Sequence, residues 1–180
     1  MGNFKEDIAL VEAFVFDVDG VFTDGHIGVL PTGDFLRQYN VKDGFAVMYA
    51  LRAGYKVAII TGGYGEALEM RFRQLKVTAF HHSCRDKLSR LREFMSEHAL
   101  RPEQVLYMGD DLPDLECLRH VGMPVAPADA VPEVVSASRY VSQFGGGEGC
   151  VRDIVEQVLR ARGDWAKGDL GLTSAPCGNS

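Results

Sequence analysis

Two acidic runs hold the residues best suited to chemistry in this chain. Asp17 and Asp19 lie in the run FVFDVDG at residues 14–20, and Asp110 lies in GDDLPD at 109–114. Carboxylates a few ångströms apart resist ionising together unless a cation compensates, and oxygen ligands favour a hard divalent ion such as Mg²⁺. A lone Asp-x-Asp can equally be an Asx turn or a helix N-cap. The second acidic run favours a magnesium site over that reading.

Two further segments have the chemistry to hold an anion. Thr61-Gly62-Gly63 follows the apolar run KVAII and precedes a predicted helix, so a hydroxyl and backbone N–H groups could face an anion there. Lys87 begins another predicted helix. Each segment alone has an ordinary explanation, as a threonine N-cap in a turn and as a solvated surface lysine. Combined with the acidic runs, they predict one site for a cation and an anion.

Short apolar strands alternating with helices must position these residues. The pattern predicts strands at 11–17, 55–61, 78–81, 104–109, 124–126 and 140–141, and helices at 43–53, 66–75, 87–99, 113–121 and 150–162, with one short helix after Pro132. Such alternation indicates an α/β fold, a three-layer, doubly wound (Rossmann-like) parallel sheet covered on both faces. Ligands bind beyond the carboxyl ends of the strands in such sheets. Asp17, Thr61 and Asp110 all fall at those ends.

Three segments lie outside the alternation. Residues 21–39 contain turn residues between β-formers and predict a β-hairpin that turns at Leu30–Asp34. Gly145–Gly149 is either a flexible connector or a segment near the site. Residues 163–180 lack periodicity and predict a flexible tail without chemistry. We therefore expect a single domain over residues 1–162.

Composition narrows the functional classes. The net charge is −6, and 46% hydrophobic with 24% charged residues predicts a soluble globular protein with no nucleic-acid partner. The 4 cysteines lack C-x-x-C or zinc spacing, which predicts free thiols in a reducing compartment. No signal-peptide pattern and no apolar run of transmembrane length occurs, so we expect a cytoplasmic protein without a membrane partner.

The motifs, taken in order, resemble those of the haloacid dehalogenase superfamily of phosphohydrolases. The likeness rests on Asp17-Val18-Asp19-Gly20, on Thr61-Gly62, on Lys87, and on Gly109-Asp110-Asp111 with Asp114. The gaps between the first three motifs have room only for a hairpin, two helices and a short strand. The chain therefore looks capless, so its site would take a large substrate or a lid from a neighbouring subunit.

This resemblance implies a role for each matching residue. Asp17 would be the nucleophile that forms an aspartyl-phosphate, and Asp19 the general acid and then the base. Mg²⁺ would be held by the carboxylates of Asp17 and Asp110 and the main-chain carbonyl of Asp19. Thr61 and Lys87 would contact the phosphoryl oxygens. The remaining aspartates would orient metal-bound waters and the loop, namely Asp111 and Asp114.

Within the superfamily, the chain is similar to the 3-deoxy-D-manno-octulosonate 8-phosphate phosphatases over about residues 10–162. The likeness covers the hairpin, the stretch at 39–44, GDDLPD and the Gly-rich stretch before CVRDIVEQVL. It implies a homotetramer joined through the hairpins, with each site completed across a subunit boundary. It also implies substrate contacts from Asp19, Asn40, Val41, Lys42, Asp43, Gly44, Gly62, Arg71 and Lys87.

Two departures from that family pattern leave alternatives open. Gly63 and Met48 stand where the family often has arginines, so how a substrate carboxylate is held is unresolved. The nine-carbon 2-keto-3-deoxynonulosonate 9-phosphate is the alternative substrate, although the retained Asn-Val-Lys-Asp-Gly stretch favours the eight-carbon sugar acid. Two other classes are a catalytically idle module partnering a nucleotidyltransferase and a receiver-like domain with a long-lived phospho-aspartate.

Overall fold

A six-stranded parallel sheet forms the centre of the computed structural model, which describes residues 4–167. The strands are β1 (Ala13–Phe16), β2 (Gly28–Val29), β3 (Phe35–Leu36), β4 (Lys56–Ile60), β5 (Ala79–His81), β6 (Val105–Met108), β7 (Met123–Ala126) and β8 (Tyr140–Val141). Their order in the sheet is β5-β4-β1-β6-β7-β8, while β2 and β3 pair separately. The central place of β1 puts the carboxyl ends of β4 and β6 on either side of its own.

Over residues 4–167, the α-helices that accompany these strands are α1 (Phe4–Ile8), α2 (Val41–Arg52), α3 (Glu66–Leu75), α4 (Lys87–Glu97), α5 (Leu115–Leu118), α6 (Pro132–Ala137) and α7 (Cys150–Ala161). Residues of α2, α3 and α7 share one buried cluster with the sheet, and residues of α4, α5 and α6 share the other. The fold is therefore the expected three-layer, doubly wound α/β domain without a cap.

Alternation along β1 produces the two cores. Successive strand residues point to opposite faces of a sheet. Phe14 and Phe16 pack in the cluster with α2 and α7, whereas Ala13 and Val15 pack in the cluster with α4. All four side chains are fully buried. The continuous apolar run before Asp17 thus marks a strand covered on both faces, which fixes the position at which its carboxyl end emerges.

The predicted elements are all present, but several bounds differ. The helix expected at 43–53 begins at Val41, because the Asn40 side chain caps it by accepting a hydrogen bond from the Lys42 N–H. The helix expected at 113–121 is shorter: a 3₁₀ turn at Leu112–Asp114 leads into the single turn of α5. The helix α1 and a 3₁₀ turn at Pro102–Gln104 were not predicted.

The hairpin forms as expected but with short strands. Antiparallel β2 and β3 are two residues each, and the Leu30 N–H donates to the Asp34 carbonyl at 2.9 Å. Gly33 occupies this turn with φ of +87°, a conformation that favours glycine. The turn predicted at Leu30–Asp34 is therefore confirmed.

Residues just after the boundary predicted at residue 162 pack against the domain. The Trp165 ring lies 4.8 Å from the Tyr49 ring and 4.5 Å from the Arg152 guanidinium, and the Tyr55 hydroxyl donates to the Asp164 carboxylate at 2.8 Å. Residues 163–167 are thus part of the packed domain, since the aromatic ring covers the α2–α7 surface. The rest of the predicted tail, 168–180, lies outside the described residues. Among the described helices, none has the length and apolar character to cross a membrane.

Candidate active site

The strand ends bring the predicted chemical residues into one cleft of about 520 Å³. In the register of the sheet, Phe16 of β1 faces Ile59 of β4 and Met108 of β6. The residues that follow these strands must therefore converge at one edge. The cleft is lined by Asp17, Asp19, Thr61, Gly62, Lys87, Asp110, Asp111 and Asp114, all of which the sequence singled out.

Lys87 is the buried positive charge at the centre of the cleft. Its Nζ lies 2.9 Å from Asp17 Oδ2 and 2.8 Å from Asp114 Oδ1, and its side chain is 6% exposed. Burial alone would lower the pKa of Lys87, but the two carboxylates raise it above its ordinary value. The lysine is therefore held charged and in place.

Asp114 anchors both this lysine and the acidic loop. Its Oδ1 accepts hydrogen bonds from Lys87 and from the Tyr107 hydroxyl at 2.7 Å, and its Oδ2 accepts from the Asp110 N–H at 3.2 Å. A Cβ at Gly109 would lie 2.3 Å from Asp114 Cγ, so only glycine fits there. The predicted loop-orienting role of Asp114 agrees with these contacts.

The acidic residues meet the requirements of a divalent cation. Carboxylate oxygens of Asp17, Asp110 and Asp114 lie within 4.8 Å of one another. Asp114 is committed to the lysine and the loop, whereas the buried Asp17 Oδ1 has no hydrogen-bond partner among the described residues. Buried acceptors are rarely left unpaired. Asp17 and Asp110 are therefore the carboxylates of this cluster that could hold a cation.

The same two carboxyls titrate abnormally without a cation. Burial, with a further contribution from Asp114, raises the pKa of Asp17 to about 6. Burial, with a further contribution from Asp17, raises the pKa of Asp110 to about 7. Their ionised forms are costly because negative charges crowd a partly desolvated space. A bound cation would remove that cost, which is the expected behaviour of an O-ligand magnesium site.

Gly20 allows the two halves of this acidic cluster to approach. Its φ is +85°, and a Cβ at this position would lie 2.0 Å from Asp110 Oδ2. The turn after β1 thus needs glycine for its backbone and for the space that the Asp110 carboxylate fills.

Thr61 is buried at the end of β4 and shapes the loop that follows. Its Oγ1 accepts from the Gly63 N–H at 3.0 Å, and its backbone N–H donates to the His81 carbonyl of β5. The hydroxyl hydrogen remains available to donate to an anion in the cleft. This arrangement is compatible with the predicted contact to phosphoryl oxygens.

Asp19 is held by a residue that the sequence reasoning missed, Arg37. Arg37 Nε lies 2.7 Å from Asp19 Oδ1 and Nη2 lies 3.0 Å from Oδ2, which is a bidentate pair. Arg37 follows β3 of the hairpin, 18 residues from Asp19. Gly63 stands where the family often has an arginine, and this difference was the sequence signal for an arginine supplied by another segment.

The segment Asn40–Gly44 does not line this cleft within a single chain. Asn40 caps α2 and its Nδ2 donates to the Gly147 carbonyl at 3.1 Å. Val41 is 81% exposed, and Lys42 lines a separate cleft beside Arg152 of α7. In the single chain these residues therefore lie outside the cleft that contains Asp17.

Asp43 and Gly44 have structural tasks in this fold. The fully buried Asp43 accepts from the Arg152 N–H at 2.7 Å at the start of α7, and burial raises its pKa to about 6. The Asp43 side chain is not exposed in the single chain and does not line the cleft, so its contact with substrate stays a prediction. A Cβ at Gly44 would lie 2.4 Å from Arg71 Nη2. Arg71 itself packs over the Tyr39 ring at 5.5 Å, in a cleft between the hairpin and α3.

The Gly145–Gly149 stretch is packed beside the site and is not a free connector. The Gly147 N–H donates to the Val21 carbonyl at 3.0 Å, and a Cβ at Gly146 would lie 2.2 Å from the Gly20 carbonyl oxygen. Of the two alternatives predicted for Gly145–Gly149, a flexible connector or a segment near the site, the structure shows the second.

Known proteins resemble this chain over most of its length. A family profile described as haloacid dehalogenase-like hydrolase matches residues 80–151. The 3-deoxy-D-manno-octulosonate 8-phosphate phosphatase of Escherichia coli (strain K12) is 38% identical over 160 residues, 88% of this chain and 85% of the relative.

Solved structures agree with these matches. A 3-deoxy-D-manno-octulosonate 8-phosphate phosphatase from Yersinia pestis superposes with a TM-score of 0.87 at 36% identity, covering 89% of this chain and 86% of that one. A phosphatase of the same name from Moraxella catarrhalis, in complex with a magnesium ion, a phosphate ion and a KDO molecule, has a TM-score of 0.86 at 27% identity, covering 89% and 92%.

Gly20→Ala should disrupt the cation site, and Gly33→Ala is the matched control. Both glycines have positive φ, +85° and +87°, but a Cβ at Gly33 meets nothing within 4 Å. Each change should cost roughly 1 kcal/mol of unfolding free energy for the backbone. Only Gly20→Ala should also abolish the Mg²⁺-induced rise in Tm, because it displaces Asp110. A normal Mg²⁺ response in folded Gly20→Ala would contradict this packing argument.

Thermal stabilisation by Mg²⁺ should increase with pH. A carboxyl whose pKa is raised in the folded state stabilises that state only while protonated, so the metal-free protein should lose stability as the pH rises through about 6 and 7. Since Mg²⁺ competes with those protons, its apparent affinity should be at least about tenfold weaker at pH 5 than at pH 8. The measurement is Tm against Mg²⁺ concentration at both pH values, with Asp110→Asn as the control that loses the response. Equal Mg²⁺ affinity at the two pH values would refute the assignment.

Proposed function

The chain belongs to the 3-deoxy-D-manno-octulosonate 8-phosphate phosphatase family of haloacid dehalogenase-like hydrolases, and we propose that it hydrolyses 3-deoxy-D-manno-octulosonate 8-phosphate to the free sugar acid and phosphate. The proposal rests on the position of Asp17 at the end of β1. Lys87 contacts one of its carboxylate oxygens, and the other oxygen has no hydrogen-bond partner among the described residues. Such a reaction would supply a precursor of lipopolysaccharide. The unpaired thiols of Cys84, Cys117 and Cys150 fit a reducing compartment, and we propose the cytoplasm.

The first half-reaction transfers the phosphoryl group to Asp17. A carboxylate oxygen of Asp17 forms a bond to phosphorus while the bond from phosphorus to the sugar oxygen breaks. Asp19 gives its proton to the departing alkoxide, which leaves as the sugar hydroxyl. Lys87 and the Thr61 hydroxyl lie in the same cleft, where they can stabilise charge on the phosphoryl oxygens.

The second half-reaction restores the enzyme. The Asp19 carboxylate takes a proton from water, and the water oxygen attacks phosphorus. The acyl–phosphate bond then breaks, which returns Asp17 as a carboxylate and releases phosphate. Mg²⁺, held by the Asp17 and Asp110 carboxylates with the Asp19 carbonyl, would supply positive charge that offsets repulsion between Asp17 and the phosphate. Asp111 would help to orient its waters.

The eight-carbon sugar acid is favoured over the nine-carbon relative on two grounds. The chain retains Asn40–Gly44, and the relatives described above carry the eight-carbon name. Gly63 and Met48 stand where the family often has arginines, so the nine-carbon phosphate should be tested as well. An idle module has no need for a buried lysine between two aspartates, because such a charge is costly to keep.

Asp17→Asn should remove activity and preserve the fold. The amide is a poor nucleophile, so kcat should fall by at least about 10³-fold while Tm stays within a few degrees. Phosphate release should be measured with the eight- and nine-carbon keto-sugar acid phosphates and an aryl phosphate, with EDTA as the metal-free control. Activity that survives Asp17→Asn would contradict the assignment of Asp17 as the nucleophile. A higher kcat/KM for the nine-carbon ester would make that ester, and not the eight-carbon one, the preferred substrate.

We also propose that the active form is a homotetramer joined through the hairpins. Four apolar side chains of the hairpin are exposed in the single chain, including Val29 at 70% and Leu36 at 54%; the others are Ile27 and Leu30. Contiguous exposed apolar surface typically marks a protein contact. In such an assembly, Asn40, Val41, Lys42, Gly44 and Arg71 could contribute to a neighbour's site, as the family likeness implies. We propose Gly62 as a contact within the same chain, since it lines the cleft.

Val29→Glu should break this assembly, whereas Leu10→Glu should not. Leu10 is 51% exposed and precedes β1, so it lies at the opposite end of the sheet from the cleft. Desolvating an unpaired carboxylate at a hairpin contact is costly. Sedimentation velocity should show a tetramer for the native chain and Leu10→Glu, and smaller species for Val29→Glu with lower kcat/KM. A native chain that is monomeric at micromolar concentration and fully active would contradict the proposal.

A further inference from the structure

The ion pair between Arg37 and Asp19 is the best-formed polar contact that the proposed mechanism has not yet used. The Arg37 side chain is only 4% exposed and contributes two nearly parallel N–H···O bonds to the Asp19 carboxylate. Its remaining terminal nitrogen, Nη1, donates to the Tyr64 carbonyl at 3.3 Å. Every nitrogen of the guanidinium therefore has an acceptor. Such a planar, bidentate arrangement restricts the orientation of a carboxylate more than a single contact can.

Arg37 is itself held by the stem of the hairpin. The Phe35 ring meets the Tyr64 ring edge to face with centroids 5.1 Å apart, and the Arg37 guanidinium lies 5.8 Å from the Phe35 centroid. The hairpin is thus fastened to the loop after β4 at the point where Arg37 leaves β3. The arginine is presented from a supported segment and not from the hairpin tip.

Gly63 provides the space that this pair occupies. A Cβ at Gly63 would lie 3.0 Å from Arg37 Nη2 and 3.1 Å from Asp19 Oδ2, closer than most Cβ contacts. A side chain here would push against both partners at once. A larger side chain at this position would therefore disturb the Arg37–Asp19 pair.

Asp19 has few other constraints. Among the described residues, Arg37 makes all the side-chain hydrogen bonds that Asp19 receives. The Asp19 side chain is 25% exposed at the mouth of the cleft, so without Arg37 it would be free to change rotamer. A misplacement of about 1 Å in an acid–base group can cost roughly 10²-fold in rate.

We propose that Arg37 is the positioning residue for Asp19, holding its carboxylate at the place where the leaving oxygen is protonated. The inference rests on the proposed function, in which Asp19 serves the leaving group. Arg37 acts through Asp19 and leaves the phosphate-binding groups untouched. Its loss should therefore lower kcat and change KM little. The loss should be larger for a sugar phosphate, whose alkoxide needs a proton, than for an aryl phosphate with a good leaving group.

The test compares Arg37→Ala with Arg37→Lys, Gly63→Ala and the double variant Asp19→Asn/Arg37→Ala. Arg90→Ala is the control, because Arg90 forms an exposed ion pair with Glu93 away from the cleft. With the eight-carbon sugar-acid phosphate, Arg37→Ala should lower kcat by about 10- to 100-fold. With an aryl phosphate the loss should be smaller. Arg37→Lys should restore part of the rate, Gly63→Ala should show a milder form of the same pattern, and Arg90→Ala should match the native chain.

The double variant separates positioning from other roles. If Arg37 acts through Asp19, Arg37→Ala should add little further loss in the Asp19→Asn background. A full further loss there, or a rise in KM for the sugar-acid phosphate alone, would overturn the proposal and make Arg37 a substrate contact. Equal losses of kcat/KM on both esters would also overturn it, as a general structural effect, because kcat/KM reports the first half-reaction, in which only the sugar alkoxide needs the proton. A native chain with no activity on either sugar-acid phosphate would instead refute the proposed function.

Discussion

A buried lysine between two buried aspartates is the interaction on which the rest of this site depends. Lys87 contacts Asp17 on one side and Asp114 on the other, in a space from which water is largely excluded. Any one of these charges alone would be very unfavourable there, because desolvation is repaid only by a close partner. The three must therefore be placed together, and the central parallel strands with α4 are what place them.

The glycines of the site follow from this crowding. Gly20 makes room for the Asp110 carboxylate and Gly109 for that of Asp114. Negative charge still exceeds positive charge around Asp17, and burial together with that excess raises the pKa values of Asp17 and Asp110. A divalent cation would neutralise this excess negative charge, so the packing of the chain creates a place that could hold one. Asp19, outside this cluster and paired with Arg37, is free for a separate task.

Much of this could be predicted from the sequence because it depends on short-range rules. Apolar runs locate the strands and parallel strands end at one edge, so the convergence of Asp17, Thr61 and Asp110 in one cleft follows from their order. The pair of Arg37 with Asp19 could not be predicted, because its formation depends on how the hairpin folds back onto the sheet. The burial of Asp43 could not be predicted for a similar reason, because helix periodicity does not show that α7 would cover its carboxylate. Trp165 likewise gains its partners only when α2 and α7 are packed.

The most direct test of the account is to trap the phosphorylated enzyme and find the residue that carries the phosphate. Native enzyme with Mg²⁺ and the eight-carbon sugar-acid phosphate would be quenched with acid during turnover, reduced with borohydride and digested for mass spectrometry. We expect Asp17 to be converted to homoserine, because borohydride reduces an acyl phosphate to the alcohol. Conversion of a different aspartate, or steady phosphate release with no reducible acyl phosphate, would contradict it.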